Sequence, residues 1–134
     1  MTDTAATDRA AVSPADLPGS TLPALLLHHA DQRPNHVALR KRDRGRWKAY
    51  TWADYARRTS DVANGLRNLG VRPGDRVAIH SENRPAWLFS DLATQALGAV
   101  AVGIYPTSPT AEVQYLLGHS EAKVLIAEDE EQLD

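Results

Sequence analysis

The stretch from Gly74 to Ile126 constrains the fold of this chain more than any other. It contains RVAIH (Arg76–His80), AVAVGIY (Ala99–Tyr105) and most of KVLIA (Lys123–Ala127), three short runs bounded by turn residues, with helical periodicity between them. Parallel strands need a long crossover and are buried on both faces, so short apolar runs alternating with amphipathic helices read as a parallel sheet with covering helices. The first crossover is expected as a helix over about Pro85–Leu97, with Pro85 at its first position, a stripe of Leu88, Phe89, Leu92 and Ala96, and Gly98 as its stop. The second follows the loop Tyr105-Pro106-Thr107-Ser108-Pro109. Ser108 is expected to cap it, Pro109 to open it, Val113, Leu116 and Leu117 to face inward, and Gly118 to end it. The unbroken apolar run Ala99–Tyr105 is expected to be covered on both faces.

The residues upstream form a lead-in. Residues 1–19 hold Thr, Ala, Asp and Pro with hardly any large apolar side chain, and are expected to be a flexible tail, because little surface is available to offset ordering entropy. Ser20 or Thr21 can cap a helix through about Gln32, with Leu22, Leu25, Leu26 and His29 along one face. Val37–Arg42 and Arg46–Tyr50 flank Asp43-Arg44-Gly45 and read as a hairpin. Arg40, Lys41, Arg42, Arg44, Arg46 and Lys48 oppose only Asp43 there. That density suggests a phosphate or lipid-headgroup patch, but charged edges are the usual protection against strand pairing, and that reading is adopted. Trp47, Tyr50 and Trp52 are expected to supply the hairpin's apolar contacts. Thr51-Trp52-Ala53-Asp54 has the form of a capping box, opening a helix whose apolar positions include Tyr55, Thr59, Val62 and Leu66, with Gly70 at its end.

Composition and motifs narrow the chemistry. A chain of 134 residues, 43% hydrophobic and 24% charged, fits one ordinary domain. The net charge of −2 gives no reason to expect nucleic acid as a partner. Without cysteine there is no disulfide, thiolate nucleophile or Cys-ligated zinc. No apolar run is long enough for a membrane span, and the expected location is cytoplasmic, with peripheral association at a membrane left open. There is no G-x-G-x-x-G, G-x-S-x-G or H-E-x-x-H, and Gly98–Gly103 has the outer glycines of a phosphate loop but Ile104 and Tyr105 where Lys and Ser/Thr belong. No residue is assigned a catalytic or metal-binding role. His80, Ser81, Glu82 and Asn83 sit at the carboxyl edge of a strand, where α/β proteins place ligands, and would serve equally as a helix-leading loop.

The run from Tyr50 to Asp129 resembles the N-terminal part of AMP-forming acyl-CoA synthetases, in the adenylate-forming superfamily. Tyr50–Tyr55 is similar to that family's first core motif and Leu97–Thr107 to its second, while SENRPAW (Ser81–Trp87) and IYPTSP (Ile104–Pro109) are most similar to the long-chain fatty acid branch. The resemblance covers about residues 20–134. It implies an N-terminal portion of an AMP-binding domain, incomplete at residue 134. The implied chemistry has two steps, with the fatty acid carboxylate attacking Mg-ATP to give an acyl-adenylate and coenzyme A then displacing AMP.

Fatty acid, ATP, Mg2+ and coenzyme A are therefore the implied partners and cofactors. The family's Lys-bearing phosphate loop, Tyr-Gly-x-Thr-Glu segment, ribose-binding Asp and C-terminal catalytic Lys have no counterpart in these residues, so the chain by itself is expected to be inactive and to bind none of these tightly. By the position of the loop in related enzymes, Tyr105, Pro106, Thr107 and Ser108 are expected to face coenzyme A. Two alternatives stay open: a noncatalytic α/β module acting by partner binding, and a piece of an adenylating enzyme for aryl or amino acids.

Overall fold

The computed structural model describes residue 19 and residues 21–129; the expectation for residues 1–18 lies outside them. The order is α1 (Leu22–Gln32), β1 (Val37–Asp43), β2 (Arg46–Thr51), α2 (Trp52–Asn68), β3 (Arg76–His80), α3 (Pro85–Ala96), β4 (Val100–Ile104), α4 (Thr110–Ser120) and β5 (Val124–Ala127). β1 and β2 form an antiparallel hairpin, and β3, β4 and β5 form a parallel sheet in the order β4-β3-β5.

The strand order fixes the layers. The chain steps from β3 to β4 and then returns past β3 to β5, and right-handed crossovers place α3 and α4 on opposite faces of the sheet. α3 packs with α1 and α2, whereas α4 lies against β4. β3 is the covered strand, with Val77, Ala78, Ile79 and His80 all buried. Leu66, Val71, Val77, Ala93 and Ala99 make one core cluster, and Leu26, Tyr55, Phe89 and Leu92 make another. Each such side chain taken out of water contributes roughly 1.5–3 kcal/mol, or less for alanine.

The local signals explain the helices. Thr21 caps α1, its Oγ1 accepting from the Ala24 N–H at 3.2 Å. At α2 the capping box is complete: the Asp54 N–H donates to Thr51 Oγ1 at 3.0 Å and the Thr51 N–H donates to Asp54 Oδ2 at 3.0 Å. Those bonds, the backbone one first, hold the Asp54 carboxyl below the usual carboxylate range. Past α3, Gly98 has φ +71°, and a Cβ there would lie 3.3 Å from the Pro73 Cβ, so the stop is both conformational and steric.

Four expectations are corrected. β4 is not covered on both faces: Val100 is 51% exposed and Gly103 is exposed, because β4 lies at the edge of the described sheet and the helix above it buries none of its own residues. Ser108 does not cap α4. Pro109 occupies the cap position in an extended conformation (ψ 153°), while the Ser108 N–H closes a turn onto the Tyr105 carbonyl at 3.0 Å. Gly118 does not end α4 either. The helix continues to Ser120 and stops at Glu121, which takes a left-handed conformation (φ 54°) and pairs with Arg76 at 2.9 Å, while Arg76 Nε donates to the Ser120 carbonyl at 2.7 Å. The hairpin loop contains only Arg44 (φ 47°) and Gly45 (φ 81°), as a tight turn of matching twist requires, and Trp47 is exposed beyond it rather than packed.

Candidate functional site

A cavity of about 650 Å³ opens at the carboxyl edge of the sheet. One wall is Ser81, Glu82 and Asn83, which follow β3. The other is the end of β4 with the turn beyond it, Gly103 through Thr107, and Trp87 of α3 stands between the walls. β3 and β4 run in parallel register with His80 beside Ile104, so both chains leave the sheet at the same level and their loops face each other.

The sequence-predicted residues divide here. Tyr105, Pro106 and Thr107 line the cavity, and Tyr105 is 79% exposed; Ser108 lies outside the lining. Ser81, Glu82 and Asn83 line it and also lead into α3, so the two readings of that loop coexist. His80 is 5% exposed and is absent from the lining, with neither ring nitrogen hydrogen-bonded.

The Ser81–Asn83 wall is braced from β5. Ala127 pairs with His80, which sets Glu128 next to Ser81. Glu128 Oε2 accepts from the Glu82 N–H at 2.8 Å and from Ser81 Oγ at 3.3 Å, while Oε1 pairs with the Arg84 guanidinium. Neither Glu128 nor Trp87 was singled out from sequence. Parallel register after the third run was the available signal, since it carries whatever follows Ala127 to the carboxyl edge.

The lining offers two aromatic rings, hydroxyls, an amide and the Glu82 carboxylate, but no Lys, Arg or His. It can stack on and hydrogen-bond a flat polar group; it has no cation for a phosphate. Among the described residues no three His, Cys, Asp or Glu side chains group to hold a metal ion, and no helix is long and apolar enough to cross a membrane.

Comparison with known proteins gives the family. The long-chain-fatty-acid–CoA ligase FadD15 of Mycobacterium bovis is 41% identical over 105 residues, covering 78% of this chain and 18% of the ligase. A feruloyl-CoA synthase of Amycolatopsis is 45% identical over 78 residues, covering 58% of this chain and 16% of the synthase. The chain thus spans less than a fifth of the length of these curated relatives. Among solved structures, the N-terminal subdomain of Klebsiella oxytoca NpsA in complex with 3-hydroxyanthranilyl-AMSN superposes with a TM-score of 0.72 at 29% identity, covering 81% of this chain and 27% of that one. The sequence profile of the AMP-binding enzyme family matches residues 26–134, and the chain belongs to that family.

Proposed function

We propose that this chain is the N-terminal portion of an ATP-dependent, AMP-forming long-chain fatty acid–CoA ligase, and that its carboxyl-edge cavity receives the adenine of coenzyme A. The observation that carries the reading is the family match over residues 26–134 together with a cavity at the carboxyl edge of the sheet. FadD15 ligases of two mycobacteria, matched over 105 residues each, support the long-chain acyl group over an aryl one. The cavity's chemistry supports the adenine rather than the phosphates: Tyr105 and Trp87 present ring faces, Thr107 and Asn83 present hydrogen-bonding groups, and Glu82 would repel a phosphate. The described residues bring no three His, Cys, Asp or Glu side chains together, and so do not fit the magnesium ion implied by the family.

This portion contributes a wall and no reacting group. Alone, the chain is expected to give ATP–pyrophosphate exchange at the level of a blank with any fatty acid. Grafted in place of the first segment of the FadD15 ligase, it is expected to restore exchange that depends on fatty acid; a graft that folds but exchanges with no acid refutes the ligase reading. Titration of adenosine 3′,5′-bisphosphate into the chain tests the cavity. Amide shifts confined to Ser81–Asn83 and Tyr105–Thr107 are expected, and shifts located elsewhere refute the assignment.

A further inference from the structure

We propose that a second, open cavity, bordered by the hairpin, α2 and the start of α3, is an anion site that takes a phosphate monoester group. It has a volume of about 420 Å³ and shares no lining residue with the carboxyl-edge cavity. Three separate elements point cations at it: Lys41 and Lys48 from the hairpin, Arg58 from α2, and Arg84 at the start of α3.

The placement of the two lysines is the main evidence. Lys41 and Lys48 are direct cross-strand partners, and so are Leu39 and Tyr50 on the same face. Leu39 and Tyr50 pack against the core on that face, with Lys41 half-buried and Lys48 exposed. Arg40, Arg42 and Trp47 stand exposed on the opposite row, where charge protects an edge, so the half-buried Lys41 is the lysine that edge protection does not explain. Two like charges facing one another across the strands cost stability unless something neutralises them. Among the described residues, Lys41, Lys48 and Arg58 make no ion pair. Lys48 Nζ lies 5.2 Å from the Tyr50 ring centroid, which orders it without cancelling its charge.

The remaining groups set the ligand's charge. Arg84 is anchored by Glu128, and its buried Nε has no hydrogen-bond partner. Asp61 is the one carboxylate in the lining. Asp61 and Glu128 together offset two of the four cations. A phosphate monoester carries a charge near −2 at neutral pH and three strong acceptor oxygens, matching the remainder. Free phosphate compounds and phospholipid headgroups share this chemistry.

Thermal unfolding of the full chain tests the site, because two effects of Lys41→Gln have opposite signs. In phosphate-free chloride buffer Lys41→Gln is expected to raise Tm by relieving repulsion. Inorganic phosphate is expected to raise the Tm of the unaltered chain beyond chloride of equal ionic strength, with affinity falling about tenfold in Lys41→Gln and in Arg58→Gln, the loss of one charge-assisted bond each. A Lys41→Gln variant with lower phosphate-free Tm and an intact phosphate response overturns the proposal. So does an unaltered chain that responds to phosphate no more than to chloride. Sedimentation with phosphatidylcholine vesicles containing phosphatidic acid separates the sources. Retention lost in Lys41→Gln assigns the lipid headgroup, and a phosphate response without retention assigns a soluble phosphate compound.

Discussion

Glu128→Gln removes one negative charge and little else, which makes it a clean probe of the brace between β5 and the loop before α3. The glutamine keeps an oxygen for the Glu82 N–H but can no longer neutralise Arg84. The size of the effect follows from exposure. The Glu128 side chain is 8% exposed and that of Arg84 is 37% exposed. Breaking a fully buried ion pair costs about 3–5 kcal/mol and an exposed pair is worth roughly 0.2–1 kcal/mol. One buried partner and one partly wet partner place this pair between those limits, at about 2 kcal/mol. For a domain of this size that corresponds to a drop in Tm of roughly 8 °C, followed by circular dichroism at neutral pH. Arg84→Met should cost a similar amount, and the double variant scarcely more than either single one, since both remove the same interaction. A Tm drop under about 2 °C, or strictly additive single effects, would refute the reasoning and reduce the pair to a surface contact.

Thr51→Ala removes half of the capping box and is expected to cost about 1 kcal/mol, read as a lower urea midpoint at unchanged slope. The Asp75 carboxyl is held low by the Arg72 N–H and then by Lys123, as Asp54 is by Thr51. Folded values below the unfolded ones mean that both contribute stability above about pH 4, lost as pH falls through the lowered values, and Asp75→Asn should flatten that acid limb. Gly98→Ala forces a side chain onto φ +71° and against Pro73, with an expected loss of at least about 1 kcal/mol by urea unfolding. Tyr105→Ala should weaken adenosine 3′,5′-bisphosphate by roughly tenfold through lost stacking while leaving Tm unchanged, because the ring is exposed.

Elements governed by local rules were legible in the sequence, and those governed by neighbours were not. Thr51 and Asp54 announce their helix because both halves of the capping box lie within four residues. Arg76–His80 was read with its observed bounds, since Asp75 before it and the Ser81 loop after it punctuate the run. Ala99–Tyr105 looked like a doubly covered strand because its residues are apolar. Burial depends on what lies alongside, and among the described strands of the parallel sheet only β3 has a strand on each side. Gly118 looked like a helix end by residue type. The observed end at Glu121 depends on Arg76, a partner 45 residues away in sequence, which no local pattern contains. The site divides in the same way: Tyr105–Thr107 were found by position in a recognisable loop, whereas Glu128 became visible only once the register placed β5 beside β3.

The two ends of the parallel sheet handle their polar groups differently, and that contrast explains why the carboxyl end holds the candidate site. At the amino end the protein satisfies itself. Asp75 accepts from the Arg72 N–H at 2.7 Å and from Lys123 at 3.2 Å, Lys123 also reaches the Gly70 carbonyl at 2.7 Å, and Arg76 closes the last turn of α4. Those bonds join the starts of β3 and β5, and the Val100 N–H donates to the Asp75 carbonyl at 2.8 Å to tie in the start of β4. At the carboxyl end a single brace, Glu128, holds the loop after β3 from one side, while the turn after β4 stands clear on the other. A rigid wall opposite an exposed turn is the geometry that can grip a flat ligand without first having to displace the protein's own hydrogen bonds. Under the proposed reading, stability and recognition fall to opposite ends of the same three strands. Asp75→Asn should lower stability and leave ligand affinity alone, whereas Glu128→Ala, which removes the acceptor for the Glu82 N–H and Ser81 and so frees the wall, should lower both.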